Sequence, residues 1–129
     1  MPKVLVIDDD TVCRIALCSI LSKHGLSVIS APNGREGERL FRSEHPDVII
    51  VDIYMPEMDG FEIISTVRNS NPDVPIVAIS NVNKVMGHNS LTIAATLGAS
   101  LTIEKPVTMD KVKDIFNIIT STQQTHSIH

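Results

Sequence analysis

A chain of 129 residues, 43% hydrophobic and 20% charged, is long enough for one hydrophobic core and too apolar to be a disordered segment. A net charge of -4 argues against nonspecific nucleic-acid binding, which normally needs a basic face, and no apolar run reaches bilayer-spanning length. With no signal-peptide pattern at the N-terminus, the expectation is a cytoplasmic protein without nucleic-acid or membrane partners.

The first apolar run, KVLVID, reads as a strand buried on both faces, and it exits into Asp8, Asp9 and Asp10. The helix that follows carries the series Cys13, Ala16, Leu17, Ile20 and Leu21 and stops near Gly25. Cys13 is therefore expected as a buried core cysteine. Cys13 and Cys18 are too few and too close for a disulfide framework, and they lack metal-ligand spacing. LSVISA is a weaker second strand. Asn33 and Glu36 then have capping-box spacing and start a helix with Gly37, Leu40 and Phe41 inward.

The third strand, DVIIVD, ends at Asp52, and Pro56 and Gly60 make YMPEMDG a loop. Asp59 and Glu62 repeat the capping spacing before a helix with Ile63, Ile64 and Val67 apolar. VPIVAIS is the fourth strand and ends at Ser80. After the Asn- and Gly-containing stretch NVNKVMGHN, the positions Leu91, Ala94, Ala95 and Gly98 mark a helical face. SLTIEK is the fifth strand, and the last helix has Val112, Ile115, Phe116 and Ile119 at helical spacing. Residues 1–122 are expected to form one domain, and 123–129 a disordered tail whose His126 and His129 are solvated.

Five strands alternating with five helices imply a parallel sheet with helices on both faces, an α/β doubly wound fold. Ligands of such sheets bind at the carboxyl ends of the strands, near a topological switch point. Asp8, Asp9, Asp52, Ser80 and Lys105 all fall at or just past those ends, on four separate segments. Taken singly, Asp10 reads as a helix cap, Ser80 as a turn hydroxyl and Lys105 as a solvated lysine. Their shared edge is what specifies a site.

Three carboxylates at one edge repel one another at neutral pH, and Mg²⁺ relieves that repulsion with hard oxygen ligands. A carboxylate can also attack a phosphoryl group to give an acyl phosphate, a reaction governed by positioning and charge neutralisation. Lys105 would neutralise a phosphoryl oxygen, and Ser80 would donate a hydrogen bond to another.

The motifs VIDDD, VDIYMPEMDG, the Ser80 ending IVAIS, and EKP resemble, as a set, those of the response-regulator receiver domain, over residues 3 to 120. The resemblance implies a flavodoxin-like five-stranded sheet of order 2-1-3-4-5 flanked by five helices. It implies that Asp52 is the phosphoacceptor, that Asp8, Asp9, Asp52 and the backbone carbonyl of Tyr54 hold Mg²⁺, and that Ser80 and Lys105 contact the phosphoryl group. The Lys105–Pro106 peptide is typically cis in the family. A histidine kinase or histidine phosphotransfer protein would donate, and a face of helix 4, strand 5 and helix 5 would meet a downstream protein or the phosphate would pass onward. Such a chain is a signalling switch that catalyses only its own phosphotransfer and autodephosphorylation.

Three positions depart from the family pattern. Thr102 stands where Tyr or Phe is usual, Asn81 stands where Ala or Gly is usual, and the stretch between Ser80 and Gly98 is a few residues longer. Met1, three residues before the first strand, favours a native N-terminus, with a receiver excised from a larger regulator as the other reading. The alternative function is a degenerate receiver acting as an unphosphorylated protein-binding scaffold. A phosphatase of the haloacid dehalogenase type needs an acid where Tyr54 stands. An FMN module needs a phosphate loop where the three aspartates stand.

Overall fold

The computed structural model describes residues 2–84 and 86–128, the side chains of 122–128 excepted. Strands β1 (Lys3–Ile7), β2 (Ser27–Ala31), β3 (Val48–Asp52), β4 (Ile76–Ser80) and β5 (Leu101–Glu104) pair in parallel in the order 2-1-3-4-5. Between and after them run α1 (Thr11–Lys23), α2 (Gly34–Glu44), α3 (Gly60–Ser70), α4 (Asn89–Leu97) and α5 (Met109–Ile128). The expected fold class and strand order both hold. The α5 backbone continues through 123–128, a stretch without apolar period; His129 and the side chain of His126 lie outside the described residues.

Every residue of β3 and β4 is buried, because helices cover the sheet on both sides. Alternation sorts the strand side chains into two cores. Leu5, Ile7, Ile49, Val51 and Ala78 cluster with Phe41, Ile63, Ile64, Val67 and Ala94 from α2, α3 and α4. Val4, Val6, Ile50, Val77, Ile79 and Ile103 cluster with Leu17 and Leu21 of α1 and with Ile115 and Ile119 of α5. Fully burying one such side chain contributes about 1.5–3 kcal/mol, so the strands anchor whatever is attached to their ends.

The helix starts follow the side chains named above. Asn33 accepts the Glu36 amide at 2.8 Å, and Asp59 accepts the Glu62 amide at 3.0 Å. Glu36 does not reach back to complete a box, since its carboxylate pairs with Arg39 one turn on. Two helical faces differ from expectation. Cys13 is only partly buried, while Leu17 and Leu21 alone enter the core and Val12 and Ile15 are exposed. In α4 the buried residues are Ser90 and Ala94, and Ala95 is exposed. An apolar count passes over Ser90, whose hydroxyl is hydrogen-bonded internally and so can be buried without loss.

Arg68 of α3 joins elements far apart in sequence. Its guanidinium donates to the carbonyls of Gly98 (2.9 Å), Asn71 (3.1 Å) and Val74 (2.7 Å), and to Ser100 Oγ (3.4 Å). Arg68→Ala leaves those part-buried carbonyls unsatisfied and lowers stability by about 2–3 kcal/mol, read from the urea midpoint. Arg68→Lys recovers less than half of that loss, because an ammonium cannot span the same acceptors.

Candidate functional site

Order 2-1-3-4-5 places the switch point between β1 and β3, whose carboxyl ends deliver Asp8 and Asp52 side by side. Both are buried, at 5% and 4% exposure, in a part of the molecule where an unpaired carboxylate is costly. Lys105, just past β5, reaches both: its Nζ lies 3.5 Å from Asp8 Oδ2 and 3.4 Å from Asp52 Oδ2. The β5 exit is held by its own amide, which donates to Ser80 O at 2.8 Å, and the Lys105–Pro106 peptide is cis.

The remaining polar contacts orient Asp8. Its Oδ1 accepts the Asp10 amide at 2.9 Å, and its carbonyl accepts Arg14 Nη1 at 2.7 Å. Asp10 itself caps α1 through the Cys13 amide, which holds the Asp10 carboxyl below its ordinary value. Asp9 is exposed at the mouth of a cavity of about 780 Å³ that Asp52, Tyr54, Asn81, Lys84 and Lys105 also line. Gly60 opens α3 against the end of β3, where an added Cβ would meet Asp52 O at 2.5 Å. Glycine there lets the helix pack beside the carboxylate-bearing strand end.

One cation serves two buried carboxylates here. Burial first, and then the Asp8 charge, push the Asp52 carboxyl up from 3.8 to about 7 against the pull of Lys105. Burial alone would lower the Lys105 ammonium, but Asp52 and Asp8 outweigh it and the net shift is upward. Lys105 therefore stays charged, and the excess negative charge rests on the carboxylates. Carboxylate oxygens of Asp8, Asp9 and Asp52 lie within 4.8 Å of one another. Among the described residues, Asp52 Oδ1 is the buried side-chain atom left without a hydrogen-bond partner. An all-oxygen cluster with surplus charge and an orphaned oxygen fits a hard divalent cation.

Ser80, an expected participant, and Asn81, a departure from the family pattern, are both otherwise engaged. Ser80 is fully buried, and its hydroxyl faces Ser90 Oγ at 2.5 Å rather than lining the cavity. Asn81 does line the cavity, but its Oδ1 accepts the Asn83 amide at 3.0 Å and so shapes its own turn. Tyr54 places its hydroxyl on the Met86 amide at 3.1 Å, tying the loop after β3 to the loop after β4. Thr102 is half-buried in β5 opposite Ala78. Arg14 and Ser90 carried no sequence signal of their own, because both act through contacts that only the fold creates.

The family model of the response regulator receiver domain matches residues 4–117. This chain belongs to that family. The receiver domain is 32% identical over 110 residues to the response regulator MprA of Mycolicibacterium vanbaalenii, covering 85% of this chain and 46% of that protein. It is 38% identical over 105 residues to a protein-glutamate methylesterase/protein-glutamine glutaminase of Archaeoglobus fulgidus, covering 81% of this chain and 30% of that one. The chain spans less than half the length of these curated relatives. Among solved structures, the N-terminal domain of an uncharacterized protein from Wolinella succinogenes superposes with a TM-score of 0.85 at 31% identity, over 98% of this chain and 99% of that one. The receiver domain of the Francisella response regulator 1452 gives 0.83 at 26% identity, over 97% and 99%. Receiver domains are signalling switches of two-component systems, and the role of phosphoryl acceptor is general to them. No helix among the described residues is long and apolar enough to cross a membrane.

Proposed function

We propose that residues 1–122 act as a phosphorylation-controlled switch in which Asp52 accepts a phosphoryl group from a histidine kinase or histidine phosphotransfer protein. The observation that carries this reading is the asymmetry of Asp52: Oδ2 is held by Lys105 while buried Oδ1 has no partner, on a residue that lines the cavity. An Asp52 oxygen attacks the phosphorus in line, an O–P bond forms, and the donor's N–P bond breaks. The leaving imidazole keeps that electron pair and takes up a proton from water. Lys105, already directed at Asp52, meets the charge on the transferred group. Ser80 can supply a further hydrogen bond only after leaving Ser90.

Asp8, Asp9 and Asp52, with the Tyr54 carbonyl, would hold Mg²⁺, which when bound neutralises the carboxylates and a phosphoryl oxygen. Asp8 is fixed for that role by the Asp10 amide and Arg14. The strand ends are buried, and Tyr54 ties the loop after β3 to the loop after β4. Output runs through protein contact on α4, β5 and α5, or by onward transfer of the phosphate. Relatives named as transcriptional regulators are longer than the matched segment, and a net charge of -4 argues against nonspecific nucleic-acid binding by this segment itself.

The test is phosphorylation by acetyl phosphate with and without Mg²⁺, read by intact mass. The expected result is one phosphate adduct that requires Mg²⁺ and is absent from Asp52→Asn. An adduct persisting in Asp52→Asn would overturn the assignment. Absence of any adduct, with no Mg²⁺ binding by calorimetry, would favour the unphosphorylated scaffold, for which the engagement of Ser80 by Ser90 is the supporting observation.

A further inference from the structure

The connection from β4 to α4 contains two buried hydroxyls that engage each other. Ser80 and Ser90 are both fully buried, and their Oγ atoms lie 2.5 Å apart. Ser90 Oγ donates its only proton to Gly87 O at 2.8 Å. The shared hydrogen bond therefore carries the proton of Ser80, and Ser90 is its acceptor. Gly87 takes the Ser90 amide as well, at 3.2 Å, from a backbone with φ +54. Ser80, Ser90 and Gly87 thus form one chain of hydrogen bonds from the end of β4 into the first turn of α4.

Ser80 sits beside the acceptor strand. Its neighbour Ile79 pairs with Asp52 in the β3–β4 register, and the Ser80 carbonyl receives the amide of Lys105. A serine hydroxyl has one proton and cannot donate it to Ser90 and to a group on Asp52 at once. We infer that Ser90 is the positioning residue through which occupation of the Asp52 site reaches α4. This inference rests on the phosphoacceptor reading above. When Ser80 turns to donate to a phosphoryl oxygen, Ser90 Oγ loses its incoming proton inside a dry site. A buried acceptor left unmet is unfavourable, and the first turn of α4 is where relief is available. Flanking residues 86, 88 and 89 are exposed, and α4 has no side-chain cap on its first turn. Losing the Ser80 bond therefore loosens or shifts the α4 start, while the strand ends, buried on both faces, stay in place.

Two effects of Ser90→Ala follow, and they differ in sign from simple damage. Ser80 has no acceptor to surrender, so loading of Asp52 becomes about fivefold tighter. The α4 response to loading also disappears, because the first turn is already released. The test uses the full chain with Mg²⁺ and beryllofluoride as the phosphoryl stand-in. Loading is followed by ¹⁹F NMR, and amide exchange is followed across residues 87–97. In the natural chain, loading should lower protection of the first α4 turn about tenfold, the scale of one buried hydrogen bond. In Ser90→Ala the change should fall below about twofold while affinity rises. Ser90→Thr, which keeps the hydroxyl, should restore the response. Should Ser90→Ala fail to fold, Ser80→Ala removes the same bond from the strand side and must also abolish the α4 change. A loaded Ser90→Ala with the natural α4 response and unchanged affinity would overturn the inference, as would loading of the natural chain without an α4 response. No bound beryllofluoride signal in the natural chain would instead defeat the Asp52 reading, and this inference with it.

Discussion

In EDTA at pH 8, Asp52→Asn should be more stable than the natural chain by about 3 kcal/mol, although it removes a charged partner of Lys105. The reason is the upward shift of the Asp52 carboxyl from 3.8 to about 7, driven by burial and by Asp8. A carboxyl whose folded value lies above its unfolded value binds protons more tightly when folded. Its favourable contribution is complete below about pH 4 and is lost as pH rises through 7, where the folded protein must hold a buried anion. An amide carries no such charge. The stability gap between Asp52→Asn and the natural chain should therefore be widest near pH 8 and close towards pH 4. Guanidinium unfolding curves at pH 8, 6 and 4.5 check both the magnitude and the direction. Adding Mg²⁺ at pH 8 should narrow the gap, since a ligand of the folded carboxylates stabilises most the chain that keeps all three of them; at a hundredfold excess over Kd the natural chain gains about 2.7 kcal/mol. Equal stability at pH 8 in EDTA would show that Asp52 carries no excess charge.

The second large effect has the opposite sign. Among the described residues, Lys105 is the cation within ion-pair distance of Asp8 and Asp52, at 3.5 and 3.4 Å. Lys105→Met keeps the length of the side chain and deletes the charge, leaving two buried carboxylates to face each other. A loss of about 2–4 kcal/mol at pH 8 is expected, mostly from the uncompensated charge. The raised Lys105 value keeps the ammonium charged throughout the neutral range, so this loss does not come from titration of the lysine. It should shrink towards pH 5, where Asp52 takes up a proton more readily still without Lys105 beside it. In the Asp52→Asn background the same replacement should cost clearly less, because one buried carboxylate, Asp8, then loses its cation instead of two. A cost unchanged between the two backgrounds would mean that Lys105 acts through packing of its stem and not through Asp52.

These effects share a physical origin. The central strands β3 and β4 are buried throughout, three acidic groups meet at one edge, and among the described residues Lys105 is the ammonium within ion-pair distance of Asp8 and Asp52. Tertiary packing holds the charges in an arrangement that folding alone does not favour. On the reading proposed above, the species that complete it are a cation for the carboxylates and an anionic group for Lys105.

Much of this was legible in the chain. Unbroken runs such as VIIVD and IVAIS mark strands covered on both sides, since only a strand with no solvent face can dispense with polar alternation. Asn33 and Asp59 marked helix starts because a short side-chain acceptor three residues before a free amide is a local device. Asp8, Asp52 and Lys105 were legible for a similar reason. Each ends or follows an apolar run, and a parallel sheet brings all such ends to one edge.

What periodicity could not supply was decided by contacts across the fold. Cys13 sits on an apolar series yet is only half covered, because Leu17 and Leu21 fill the space between α1 and the sheet. Ser90 looks like a surface residue by type, but it lies in the core because Ser80 and the Gly87 carbonyl satisfy its hydroxyl there. Local sequence thus determined which segments become strands, where helices begin and which edge collects the charges, since those depend on residues a few positions apart. The raised Asp52 carboxyl, the commitment of Ser80 to α4 and the bridge of Tyr54 to Met86 belong to the tertiary structure alone. Burial and hydrogen-bond partnership are properties of neighbours in space, and these neighbours stand between 10 and 53 positions apart along the chain.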